Sequence, residues 1–290
     1  MHTSASGAGN QRTKVSQGDI IHRPSSDNTT TPRWGFIVTA DCDIVQDKTG
    51  ARLSYLDIVT ARHYLEHIWA AEALRKLRAR TLKATAELIT SAARSLDERL
   101  TPISAEDLLT WLGDATREEI MEALQLPEKK RQKHRESLEV LELIFDLRGS
   151  PPTALQRLQR VWDIQGTSAK EMRARLEQAL DYNKATDFHI IPEIPELDPL
   201  GYVVLLREVS SMKHDDLYAS ALDLQISGNE EGFYVAGSST DNLRYAISQK
   251  MAFLFSRIGM SREYETQCEI VTQLAVSELS PPEDLTRAGK

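Results

Sequence analysis

Cysteine is nearly absent from this chain of 290 residues, which carries Cys42 and Cys268 and no others. Two thiols cannot build the disulfide framework that staples small secreted domains, so the composition fits a reducing compartment and a packed core. Long apolar runs are missing too, and none approaches the roughly 20 residues a bilayer span requires. Basic charge is in deficit: 35 Lys and Arg stand against 43 Asp and Glu, a formal net charge of −8. Nucleic-acid binding by default is thereby disfavoured, because phosphate contacts need clustered Lys and Arg. Residues 1–13 are rich in Ser, Gly and Asn and lack the apolar centre of a signal peptide. They read as a disordered tail, and residues 281–290 as a frayed one. What remains is a cytoplasmic globular protein, 41% hydrophobic, long enough to bury a sizeable core.

By pattern the chain divides into three parts. Residues 14–61 read as β-structure: a short strand at Gly18 to Ile21, a polar loop from Pro24 to Pro32, a strand running on from Trp34, a turn at Asp47 to Gly50, and a strand at Leu53 to Val59. Residues 62–186 read as a helical insertion, dominated by Ala, Leu, Glu, Arg and Lys. Ser104, followed by Glu106 and Asp107, marks a helix start. Gly149 to Pro152 and Gly166 to Ser168 mark breaks, and Leu138, Leu141, Phe145 and Leu147 approximate an apolar stripe. Four to six helices are expected here. Residues 187–280 return to strands, at Asp187 to Ile191, Gly201 to Val209 and Gly232 to Gly237, with Pro192, Pro195 and Pro199 excluding a helix between the first two. A helix from Asp241 to Ile258 follows, capped by Ser239 or Thr240 and ended by Gly259, then a last helix at Arg262 to Leu274. Short strands at both ends must hide their edges. The expected fold is therefore α+β: one small antiparallel barrel or curled sheet drawn from both chain ends, with a large helical insertion and C-terminal helices.

The run Gly18-Asp-Ile-Ile, followed by the strand through Gly35, Ile37, Val38 and Thr39 to Cys42, Asp43 and Ile44, resembles the entry strands of small SH3-like barrels of the PemK/MazF toxin kind. The Arg-Pro that precedes the second strand in those barrels stands reversed here, as Pro32-Arg33, and the spacing is longer. With Phe255, Arg257 and Gly259 near the other end, the pattern is also similar to poorly characterised bacterial proteins from mobile or defence-related gene neighbourhoods. The first resemblance implies a ribonuclease or toxin. The second implies an accessory subunit of a bacterial system, with anti-phage defence as its setting. Together they cover about 50 residues and transfer no catalytic role.

Several constellations invite chemistry. Asp41, Cys42 and Asp43 stand where the Trp34 strand leaves the core. Strand alternation would place both carboxylates on one face and Cys42 on the other, as a small buried hydrophobe. Flanking carboxylates would raise the thiol's pKa and blunt it as a nucleophile. The carboxylate pair is the better site candidate, as a cation site or a clamp on a loop. Were the thiol a nucleophile, His22 and His189 would be the first bases to test. His63, Glu66 and His67 match the His-x-x-Glu-His arrangement of inverted zinc peptidases, with Glu139 or Glu142 as a conceivable third ligand. Half-exposed imidazoles on a helix beside Trp69 account for the same residues. Lys129, Lys130, Arg131, Lys133 and Arg135 form the one dense basic cluster and could meet nucleic-acid phosphate. Neighbouring glutamates could equally make it a solvated helix start, and no aromatic residues flank it for stacking on bases. Gly237 to Thr240 join a strand to a helix and could hold an anion, or simply cap that helix.

No constellation is complete, no cofactor is called for, and no metal is expected. The leading expectation is a non-enzymatic interaction subunit with protein partners. A small-barrel ribonuclease and a zinc hydrolase are the alternatives.

Overall fold

The computed structural model describes residues 14–24, 33–46, 48, 50–147, 149–181, 186–192, 194, 201–256 and 262–279. Both expected tails, the interior of the Pro24 to Pro32 loop, Pro195, Pro199, and the helix end at Ile258 and Gly259 lie outside these residues. The strands are β1 (Asp19–Arg23), β2 (Arg33–Ile37), β3 (Arg52–Thr60), β4 (Phe188–Ile191), β5 (Tyr202–Lys213), β6 (Leu217–Tyr218) and β7 (Phe233–Ser238). They form one sheet in the order β4-β5-β3-β2-β1-β7-β6, so strands from both chain ends share it.

Alternation along the strands supplies two cores. Ile20, Phe36, Leu56, Ile58 and Val204 face one way, while Ile21, Ile37, Leu53 and Tyr55 face the other. The first face is covered by α10 (Asp241–Phe255) through Ile247 and Leu254. Val15, Met212, Leu217 and Phe233 close the second, with Ile44 packed against it. Fully burying one such aliphatic side chain contributes about 1.5–3 kcal/mol. Gly35 is needed at its place, because a Cβ there would lie 2.6 Å from Cδ2 of Tyr55.

Between β3 and β4 the chain forms a helical unit. One continuous helix carries α2 (Ala61–His63), a π-helical stretch (Tyr64–Trp69) and α3 (Ala70–Arg94). Then come α4 (Ala105–Asp114), α5 (Arg117–Ala123), α6 (Glu128–Phe145), α7 (Ala154–Ile164) and α8 (Ala169–Ala179). Ser104, Thr116, Thr153 and Ser168 cap α4, α5, α7 and α8, each side chain accepting from the backbone N–H three residues on. At Thr116, Thr153 and Ser168 a Glu or Gln three residues on returns the bond to the cap's own N–H. The unit has its own cores, one around Ile89, Leu108, Ile120, Leu138 and Leu141 and one around Leu74, Ile144, Leu158 and Trp162. It meets the sheet where Ala61 and Tyr64 pack on Phe188 and Val203. No helix among the described residues is long and apolar enough to cross a membrane.

Three expectations are corrected. The sheet is not a closed barrel: β4 and β6 are its edges. Nor is it wholly antiparallel, because α9 (Ala221–Ser227) carries the chain back from β6 so that β7 pairs parallel to it. The Trp34 strand also stops at Ile37 and does not run on to Ile44. Thr39 ends it, its Oγ1 accepting from the Ser54 N–H at 2.7 Å where strand pairing would otherwise continue. The chain then turns into a short helix, α1 (Asp41–Val45), with Asp41 and Asp43 in the first turn, where the helix dipole favours acids.

Candidate functional site

The open sheet creates the most suggestive concavity. Four strands separate β4 from β7 in the sheet, yet both line one cavity of about 700 Å³. The sheet therefore curls, and α10 lies across the gap. Ile20, Ile191, Ile194, Ala236 and Leu243 give the cavity an apolar wall. His189 Nδ1 and Ser239 Oγ, both on lining residues, are buried without a hydrogen-bond partner among the described residues. Burial, and then the nearby Lys250 ammonium, hold the His189 imidazole below its ordinary pKa. Burial lowers Lys250 as well, and its Nζ donates to the Phe188 carbonyl on the β4 edge at 3.3 Å. At the rim, buried Asp19 accepts from the Ser16 N–H at 2.8 Å and from Ser238 Oγ at 2.6 Å. These carboxylate bonds tie the start of β1 to the end of β7.

An aromatic cluster continues along the same face. The His22 ring stacks on Trp34 at 3.8 Å between centroids, and its Nδ1 lies 3.1 Å from the Tyr234 hydroxyl. Burial pushes this imidazole down to about 4, so it is neutral at physiological pH. His22 Nε2 is buried without a partner among the described residues.

The sequence-derived candidates fall in separate places. Asp41 accepts from the Gln17 N–H at 2.7 Å and pairs with Arg244 of α10 at 3.4 Å. It ties the N-terminal segment and α10 to α1. Cys42 is exposed, not buried as strand alternation required, because helix geometry replaces strand geometry at this point. Its Sγ contacts Asp43 Oδ1 at 3.5 Å, a carboxylate that does not activate a thiol.

His63 and His67 lie 4.8 Å apart between ring centroids at the π-helical stretch. Burial chiefly, with His67 adding to it, lowers His63 against the pull of Glu66. Glu139 and Glu142 do not join them. Arg117 holds both, at 2.8 and 3.2 Å, and Arg160 takes Glu139 at 2.8 Å. Among the described residues no group of three His, Cys, Asp or Glu side chains could hold a metal. In the basic cluster, Arg131 donates to the Leu126 carbonyl at 2.9 Å and Arg135 pairs with Glu118 at 2.9 Å. Lys129, Lys130 and Lys133 remain exposed on the first turns of α6. Thr240 caps α10 by accepting from the Leu243 N–H, so Gly237 to Thr240 form an ordinary helix start beside the cavity.

A further surface escaped the residue-by-residue reading. In α11 (Arg262–Leu279) every side chain whose burial is described is exposed. Tyr264, Ile270, Val271, Leu274 and Val276 are between 50% and 65% exposed. Tyr264, Cys268, Val271 and Ala275 recur at helical spacing, so much of this apolar surface forms one stripe. On α10, Tyr245, Phe253 and Phe255 are exposed as well. The spacing was present in the sequence as a signal, but nothing in it showed that the stripe would go uncovered.

Comparison with protein-family models, with curated proteins and with solved structures finds no match to this chain.

Proposed function

We propose that this chain is a non-enzymatic interaction subunit of a bacterial multi-protein system, docking a protein partner through α10 and α11. The observation that carries the reading is α11, a helix of 18 residues in which Tyr264, Ile270, Val271, Leu274 and Val276 are each at least half exposed. Monomeric proteins rarely leave a contiguous apolar surface of this kind uncovered, and a helix of this length with so little of its apolar surface packed is marginal in water. Covering these five side chains and the α10 aromatics would gain on the order of 10 kcal/mol before the costs of association. A cytoplasmic location agrees with the two exposed, unpaired thiols. The bacterial setting, and anti-phage defence within it, rest on the resemblance of the chain ends.

The test is co-purification from the native host, comparing the tagged chain with a Val271→Asp, Leu274→Asp variant. A partner in stoichiometric amount should accompany the parent and be lost with the variant, while the circular dichroism and melting temperature stay unchanged. Recovery of the same partner at equal yield with the variant would refute this docking surface.

A further inference from the structure

A second cavity, of about 390 Å³, lies in the helical unit between the C-terminal half of α3 and the start of α6. It is independent of the docking surface. Lys129, Lys130 and Lys133 line it together. None of the three forms an ion pair with a described carboxylate, whereas Arg131 and Arg135 beside them are paired with Glu128 and Glu118. Lys129 and Lys133 stand one helical turn apart and repel each other. In a chain of net charge −8, three uncompensated ammonium groups around one cavity form a local exception. Leu88, Leu124 and Leu126 supply its apolar wall and Ser91 a hydroxyl. The wall is held in shape: Gln125 sits at φ 46 in the tight turn before α6, and buried His134 bonds the Lys130 carbonyl through Nδ1 at 2.8 Å.

We propose that this cavity binds a small phosphorylated molecule of about mononucleotide size, with its phosphate on Lys129, Lys130 and Lys133 and its apolar part against the leucines. Ammonium groups bind phosphate as point charges and need no fixed fork geometry, which suits lysines on a helix surface. A nucleic-acid backbone fits less well. The cavity is small, and its one aromatic lining residue, His134, is buried, so no exposed Phe, Tyr or Trp lines it to stack on successive bases.

Calorimetric titration of the full chain with inorganic phosphate, AMP, ATP and a short oligouridylate tests this. AMP and ATP should bind below about 1 mM, and more weakly as salt is raised. Lys129→Ala with Lys133→Ala should weaken both by at least about tenfold, the scale of one lost charge-assisted contact. Arg135→Ala, which removes a cation outside the cavity, should leave them within about twofold. All of these side chains are on the surface, so circular dichroism should show every variant folded. Failure of phosphate, AMP and ATP alike to bind at about 10 mM would overturn the proposal. So would binding that survives loss of the lysines, or oligouridylate binding that is tighter than ATP and falls equally with Arg135→Ala.

Discussion

Acidification should destabilise this protein through His22, and the size of the effect can be worked from its surroundings. The imidazole is stacked on Trp34 and its pKa is pushed from 6.5 to about 4 by burial. Between those values the unfolded chain binds the proton and the folded chain does not. Stability therefore rises with pH across this window, is fully present above about 6.5, and is lost as pH falls toward 4. One pKa unit corresponds to about 1.4 kcal/mol, so His22 can contribute up to about 3 kcal/mol over the whole window and about 2 kcal/mol between pH 7.5 and 5. His63 and His189 are displaced in the same direction, and Asp57, raised chiefly by burial, in the opposite sense for stability. A difference measurement cancels them. His22→Phe keeps an aromatic ring over Trp34 and cannot take a proton. Urea unfolding at both pH values should show the variant losing about 2 kcal/mol less than the parent. Equal pH dependence of the two proteins would refute the argument and place the imidazole in a solvated, titrating environment.

Gly35→Ala should cost about 1–3 kcal/mol in urea unfolding, since the new methyl meets Tyr55 and Ile21, both buried and unable to retreat; an unchanged midpoint would contradict that packing. Exposed Cys42 should react quickly with a thiol reagent in the native state, and Cys42→Ser should change stability by no more than about 0.5 kcal/mol. Slow native labelling that accelerates only on unfolding would restore the buried thiol. A fragment of residues 14–186 lacks β4 to β7, leaving β1 and β3 without one neighbour each. Its β1 to β3 amides should exchange without protection, and protection equal to that of the full chain would show that the N-terminal strands stand alone.

Much of the fold was legible because local chemistry and tertiary packing agree. Gly18 to Ile21, Leu53 to Val59 and Gly232 to Gly237 read as strands and are strands. Ser104 and Thr240 cap helices where their residue type said they could. The failures sit where a few residues are decided by distant partners. Cys42 to Ile44 read as strand, yet the Thr39–Ser54 bond ends β2 and the chain from Asp41 to Val45 is helical, exposing Cys42. β5 runs on through Ser210 and Ser211 to Lys213 because β3 pairs with it that far. The π-helical stretch at Tyr64–Trp69 is too short for its period to be read. The cavity between β4 and β7 joins His189 to Ala236 through the curl of a sheet, and no spacing in the chain encodes that meeting. The lysine run was visible as charge, but the cavity it lines was not.

Hydrogen exchange along α11 tests the central claim most directly, measured on the isolated chain and on the complex purified from its native host. In the isolated chain the α11 amides should exchange at close to unprotected rates, because every side chain of that helix whose burial is described is exposed. In the complex the stripe from Tyr264 to Ala275 should become protected while the sheet amides stay unchanged. Identical exchange of α11 in the two preparations, whether fast or slow in both, would contradict a role in docking a partner.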